Sequence, residues 1–286
     1  MMPCVRLVSW LRSQGGVKVV LESSPASGIE RALSSFKEGR GMQCVILAGG
    51  LGTRMRQLTG DTPKTLLPVG GFPFAFYQLD WLAQHGVTDV VYSIGFQGHL
   101  IQEYVGDGSR WGLRVRYVAD GKELCGTAGA LRRAFDADVL GDWFFVLYGD
   151  SFLPFDLRRL ADAFLAQSRP AMMTVYRNEG RFDSSNVQFA HGVVRTYWKA
   201  CAGGTPLSGM DFIDYGVTAL RPELVAAYIP TGRKIDLSDI YHDLGLRGLL
   251  AGLEVHERFY EIGSPDGLRD FEAWTVFHPL QSWAKQ

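Results

Sequence analysis

The chain has 286 residues, 47% hydrophobic and 21% charged, with a formal net charge of −1. That is enough to bury the core of one large α/β domain, and it gives no electrostatic reason to expect nucleic acid or an anionic membrane as partner. Cys4, Cys44, Cys125 and Cys201 stand far apart and the six histidines lack metal-ligand spacing, which fits reduced thiols in a cytoplasmic protein better than a disulfide framework or a zinc site. No apolar run reaches the ~18 residues of a membrane helix, and the N-terminus lacks the pattern of a signal peptide.

Residues 1–41 read differently from the rest. Val17 to Leu21 suggests a short strand and Ile29 to Phe36 a short amphipathic helix, between Ser, Gly and Pro breakers. They are expected to be an N-terminal extension, either disordered or upstream of a natural start at Met42, or else a regulatory or oligomerisation arm. Residues 42–286 are expected to form the functional domain. From Met42 the pattern alternates. Strands are predicted at Gln43–Leu47, Asp89–Ile94, Arg114–Val118 and Trp143–Tyr148, with helices at Pro73–His85, Leu100–Val105 and Gly126–Phe135 between them. The second half predicts a helix over Asp156–Gln167, a strand over Ala171–Tyr176 and a hairpin of Asn186–Ala190 with Val193–Tyr197. A strand over Phe212–Leu220, a helix over Asp236–Leu246 and a strand over Gly252–Glu257 follow. Ser264-Pro265-Asp266 opens a last helix toward Phe277. Apolar runs alternating with helices imply an α/β fold, Rossmann-like, with a mostly parallel central sheet and helices on both faces. No hexapeptide repeat announces a C-terminal β-helix.

Ligands on such a sheet bind beyond the carboxyl ends of its strands. Two features fall there. After Leu47 the chain reads LAGGLGTRMRQLTGDTPKTLLP, placing Gly49, Gly50 and Gly52 at a strand-to-helix turn. Glycine permits positive φ and close approach of backbone to ligand, and successive N–H groups in such a turn form an anion site. Arg54, and Lys64 after Pro63, add two cations suited to phosphates. The stretch is neither a Walker loop, since the lysine-Ser/Thr pair is missing, nor the dinucleotide fingerprint, since Met55 stands where a third glycine would be. The second feature is Tyr148-Gly149-Asp150-Ser151, a carboxylate ending the most apolar run.

The string resembles the signature GGxGTRxxxLTxxxPKxLxPV of the sugar nucleotidyltransferases, which join a sugar 1-phosphate to a nucleotide. Glu123-Leu124-Cys125-Gly126-Thr127-Ala128-Gly129-Ala130 resembles the family's E-x-x-G-T-A-G-A segment, which lies against the base. The resemblance implies nucleotide contacts from Leu47, Gly49, Gly50, Gly52, Thr53, Arg54, Glu123, Gly126 and Thr127, and catalytic roles for Arg54, Lys64 and Asp150. It makes Asp150 one ligand of Mg²⁺ and places the second in Phe259-Tyr260-Glu261-Ile262-Gly263-Ser264-Pro265, where Glu261 stands for the family's Asp. Asp214-Tyr215-Gly216 resembles the segment that touches sugar hydroxyls, with Asp214 in place of Asn. Lys199 and Lys64 match lysines of the sugar phosphate, although Trp198 replaces the Glu usual before the former.

The strings VGGFPFAFYQLDWLAQHGVTDVVYSIGF and FIDYGVTALRPEL most resemble the mannose and manno-heptose 1-phosphate guanylyltransferase branch. The implied substrates are an NTP, GTP foremost, and mannose or manno-heptose 1-phosphate. Uridylyl or thymidylyl transfer to another hexose 1-phosphate, and a non-catalytic nucleotide-sugar-binding regulatory subunit, are the alternatives. Homo-oligomerisation is left open.

Overall fold

The structure, a computed structural model of the chain, describes residues 7–13, 16–22, 41–50, 60, 62–121, 125–198 and 209–278. Leu7–Ser13 (β1) and Gly16–Glu22 (β2) pair antiparallel with each other. Then come Met42–Ala48 (β3), the pair Pro68–Val69 (β4) and Phe72–Pro73 (β5), and the helix Phe74–Gln84 (α1). Val87–Ile94 (β6), Gly98–Val105 (α2), Arg114–Ala119 (β7), Gly126–Asp136 (α3) and Phe144–Tyr148 (β8) complete the first half. The second half contains Ser151–Phe152 (β9), Leu157–Leu165 (α4), Ala171–Arg177 (β10), Val187–Ala190 (β11) and Val193–Tyr197 (β12). Phe212–Leu220 (β13), Pro222–Tyr228 (α5), Leu237–Leu246 (α6), Leu250–Val255 (β14), Tyr260–Glu261 (β15) and Pro265–Phe277 (α7) follow.

Nine strands form the central sheet in the order β10-β14-β12-β11-β13-β8-β3-β6-β7. β3 runs parallel to β6 on one side and to β8 on the other, and β7 extends the set parallel to β6. Its alternate residues feed the two faces: Met42, Cys44 and Ile46 enter the apolar layer that includes α1, α2, α4 and α7, and Val45 the layer that includes α3, α5 and α6. Helices therefore cover both faces, as the pattern predicts. The expectation of a mostly parallel sheet needs correction, because the sheet is mixed. β13 runs antiparallel to β8, β10 and β11, and β12 antiparallel to β11 and β14. For β11 and β12 the reason is local: they are joined by the turn at His191-Gly192, both with positive φ, and so short a link allows only an antiparallel return.

Most element ends obey their sequence signals. Gly86, at φ 86°, stops α1. The Ser264 hydroxyl accepts from Gly267 N–H, with Pro265 in the first turn of α7. The strand expected over Gly252–Glu257 lies at Leu250–Val255, and the expected helix over Ile29–Phe36 falls outside the described residues. At the amino edge of the parallel strands, Asp89 accepts from Gln43, Arg114 and Arg116 at 3.0, 2.7 and 2.7 Å, tying β3, β6 and β7 together far from their ligand-bearing ends. Among the described residues no helix is long and apolar enough to cross a membrane.

Candidate active site

From β3 the chain moves outward to β6 and β7, then returns to place β8 on the other side of β3. The strand order thus reverses between β3 and β8, which is where ligands of open α/β sheets bind. Leu47 pairs with Tyr148 at the carboxyl ends of these two strands. The Gly149 N–H donates to Leu47 O at 3.0 Å. A Cβ on Gly149 would stand 3.0 Å from both Ala48 Cβ and Leu47 O, so only glycine lets the turn pack this closely.

Asp150 leaves that turn into β9, which pairs antiparallel with β15. Glu261 lies opposite Ser151, and the Ile262 N–H donates to Asp150 O at 2.9 Å. This ladder is the device that brings the two sequence-predicted carboxylates together. Lys64, in the 3₁₀ turn Lys64–Leu66 after Pro63, donates from Nζ to Asp150 Oδ2 at 3.1 Å. An ion pair this accessible, 18% and 33% exposed, contributes at most ~1 kcal/mol to folding, so stability is a poor reason for it. The three groups surround one point: a Cβ on Gly263 would be 3.5 Å from Lys64 Nζ, 3.5 Å from Glu261 Oε2 and 3.6 Å from Asp150 Oδ2.

Two carboxylates beside a lysine suit Mg²⁺, which uses one or two protein carboxylates and completes its shell from water and phosphate oxygens. No group of three or more His, Cys, Asp or Glu side chains able to hold a metal occurs among the described residues. The donor set of Asp150 and Glu261 fits an ion shared with a substrate.

Gly49 and Gly50 follow β3 at the same edge. A Cβ on Gly49 would fall 1.9 Å from Asp120 Oδ2, and one on Gly95 2.5 Å from Gly49 O, while Gly50 meets nothing within 4 Å. Gly49 is thus required by packing, whereas a Cβ on Gly50 would meet none of the described residues. Asp120, which sequence reasoning passed over, is buried just after β7 and accepts from Ser93 Oγ at 2.9 Å. Burial pushes its carboxyl upward, opposed by the Ser93 hydrogen bond and by Arg133. Its only sequence signal is an Asp-Gly at a strand end. Gly52, Thr53, Arg54, Glu123 and Lys199 lie outside the described residues.

The amino end of α3 departs from expectation. The resemblance implies nucleotide contacts from Gly126 and Thr127, but the N–H groups of this first turn are occupied by the chain itself. Ala128 and Gly129 N–H donate to Ile235 O at 3.0 and 3.3 Å, and Thr127 N–H to Asp236 Oδ1 at 3.3 Å. Thr127 Oγ1 accepts in turn from Leu237 N–H at 2.7 Å. Gly126, at φ 74°, is where a Cβ would stand 2.4 Å from Ile235 O. Gly126 and Thr127 therefore dock the segment before α6.

Asp214 and Gly216 lie on β13 beside the Asp150 turn. A Cβ on Gly216 would be 3.5 Å from Ser151 Cβ. Asp214 Oδ1 accepts from Gly216 N–H at 3.0 Å, and its own N–H donates to Asn186 Oδ1 at 3.0 Å. Desolvation pushes the Asp214 carboxyl from 3.8 up to about 6, outweighing the hydrogen bonds from Gly216 and Tyr197. A raised carboxyl favours the folded state while protonated, so this contribution is complete below pH 3.8 and is lost as pH rises through about 6. Asp214→Asn should therefore gain about 1–3 kcal/mol over the wild type above that range. The gain should vanish in acid, as read by urea unfolding at a series of pH values. A constant difference across the series would contradict the assignment.

A carboxylate pair and a lysine at the reversal of a mixed α/β sheet are an arrangement suited to handling phosphate. Residues 43–187, just over half of the chain, match the family model described as Nucleotidyl transferase, and the chain belongs to that family. It is 33% identical over 119 residues to a D-glycero-alpha-D-manno-heptose 1-phosphate guanylyltransferase of Campylobacter jejuni, covering 42% of this chain and 52% of that protein. It is 40% identical over 113 residues to a glucose-1-phosphate thymidylyltransferase of Streptomyces griseus, covering 39% and 31%. The matches thus span about half of these curated relatives' length or less. Among solved structures, the inositol-1-phosphate CTP transferase of T. maritima superposes with a TM-score of 0.68 at 20% identity, covering 84% of this chain and 96% of that one. That likeness concerns the fold.

Proposed function

We propose that this protein transfers GMP from GTP to a sugar 1-phosphate of the manno series, mannose or manno-heptose, releasing pyrophosphate. The observation that carries the transfer chemistry is the meeting of Lys64, Asp150 and Glu261 around Gly263 at the sheet's reversal point. A sugar 1-phosphate oxygen attacks the α-phosphorus of the triphosphate. A new P–O bond forms there, and the bond to the β-phosphate oxygen breaks. The nucleophile needs no strong base, because a phosphate monoester with a second pKa of ~6 is already ionised at neutral pH. Catalysis is then positioning and charge neutralisation. Lys64 holds the sugar phosphate against the α-phosphate, and Arg54 takes charge on the transferring and leaving groups. Backbone N–H groups from Gly50 to Thr53 cradle the triphosphate, with Glu123 toward the base and Lys199, Asp214 and Gly216 toward the sugar. Asp150 and Glu261 would hold Mg²⁺, which supplies neutralisation of phosphate charge when bound. The catalytic unit in this reading is residues 42–286.

The relatives include both guanylyl and thymidylyl transferases; guanine is the base implied by the strings that resemble the guanylyltransferase branch, and Asp120 beside Gly49 is an acceptor that would suit it. A carboxylate accepts hydrogen bonds only. Guanine offers N1–H and a 2-amino group along one edge, whereas uracil and thymine set carbonyls on both sides of their single N–H.

The test is pyrophosphate release with Mg²⁺ across the NTPs and a panel of sugar 1-phosphates. GTP with mannose or manno-heptose 1-phosphate should react fastest, a chain beginning at Met42 should keep that activity, and Asp120→Asn should narrow the preference for GTP. Preference for UTP or dTTP would remove guanine and leave the reaction class. No turnover with any pair would remove the class.

A further inference from the structure

Gln78 is an odd residue for its place. It sits on α1 with no exposed surface, between Tyr77 and Leu79 of the main apolar layer. Burying an amide costs free energy unless it is hydrogen-bonded, and among the described residues Gln78 Oε1 has no partner. Its amide nitrogen donates to two carbonyls, Tyr148 O at 3.0 Å and Ser151 O at 2.7 Å. These bracket Gly149 and Asp150. The carbonyl between them is held from the same direction in sequence: buried Thr65, next to Lys64, donates from Oγ1 to Gly149 O at 3.1 Å. The Asp150 carbonyl accepts from Ile262 N–H. Every carbonyl from Tyr148 to Ser151 is therefore bound, two of them by one buried side chain.

We infer that Gln78 is a positioning residue for the cation and phosphate site. By fixing both flanks of the turn, with Thr65 fixing its middle, it sets where the Asp150 carboxylate stands relative to Lys64 and Glu261. An apolar side chain would fill the same space at lower desolvation cost, so the amide is explained by the carbonyls it holds. The inference rests on the transfer reading for its kinetic consequence, but the geometry also has a consequence for ion binding alone.

The test compares Gln78→Met, which keeps length and apolar bulk while removing both donors, with Trp81→Phe. Trp81 lies on the same helix and donates to Phe155 O at 3.2 Å, outside the turn. Mn²⁺ affinity with GTP present, followed by electron paramagnetic resonance, and kcat with KM should be measured for both. Gln78→Met should weaken Mn²⁺ about tenfold and lower kcat about tenfold or more, with KM for GTP little changed, because displacing a reacting group by a fraction of an ångström is that costly. Trp81→Phe should leave Mn²⁺ affinity and kcat near wild type at a comparable loss of thermal stability. In an Asp150→Asn background, Gln78→Met should cost no further rate, since residues acting as a unit are not additive. Equal losses for the two helix variants, or a full additional loss in the double variant, would overturn the inference. Should Gln78→Met fail to fold, isosteric Thr65→Val carries the same expectation in smaller measure. If the wild type turns over no substrate pair, the transfer reading fails while the Mn²⁺ comparison still decides this one.

Discussion

Asp150→Asn should lower turnover about a hundredfold or more while leaving the fold intact. The substitution keeps the size and one oxygen of the side chain but removes the charge that faces Lys64 Nζ at 3.1 Å. Little stability should go with it, because the pair is partly exposed and such pairs contribute little to folding. The turn itself is held through its own backbone, by Leu47 O, Ile262 N–H and the side chains of Thr65 and Gln78, none of which the substitution touches. Glu261→Gln should act in the same direction, and Glu261→Asp should be milder because it keeps the charge. Rates measured against Mg²⁺ concentration separate the two carboxylates. A wild-type rate for Glu261→Gln at limiting Mg²⁺ would take Glu261 out of the metal site and leave Asp150 to act with the phosphates alone.

Sequence and structure agree where the information is local. β3 and β8 are continuous apolar runs, and their carboxyl ends could be placed at one edge before any coordinate was known. Phe212–Leu220 forms the strand expected of it, and Ser264-Pro265 caps α7 as its residue types require. The site was legible as residue types along the chain, but its assembly was not. β9 and β15 have two residues each, too short for any periodicity to register, yet their pairing joins Asp150 to Glu261. Asp120 carries no pattern of its own and is found only because Gly49 packs on it. The strap of Ile235 and Asp236 over α3 is long-range, so the helix end implied to meet the nucleotide is closed by residues far along the chain. The mixed sheet is only partly local in origin. The two-residue turn at His191-Gly192 makes β11 and β12 antiparallel, whereas β13 meets β8 and β10 antiparallel through long-range pairing, beside the parallel set β8, β3, β6 and β7.

Gly263→Ala should abolish most activity without destabilising the protein, and it tests the convergence of the site more directly than any charge change. Gly263 is buried and is not among the glycines at positive φ, so alanine meets no backbone strain. Among the described residues its methyl would come no nearer than 3.5 Å to a neighbouring heavy atom, an ordinary contact that requires none of them to move. Such a change reduces the freedom of the unfolded chain and stabilises by ~0.4–1 kcal/mol where the conformation is compatible. The methyl would nevertheless occupy the point that Lys64 Nζ, Glu261 Oε2 and Asp150 Oδ2 surround. A cation with ligands at ~2.0–2.1 Å, and the phosphate oxygen it shares, cannot fill space already taken by carbon. The expected result is a rate loss of about a hundredfold with an unchanged or slightly raised Tm. Thermal unfolding and turnover measured on one preparation give both numbers. Wild-type turnover in Gly263→Ala would show that the reacting phosphates lie away from this point.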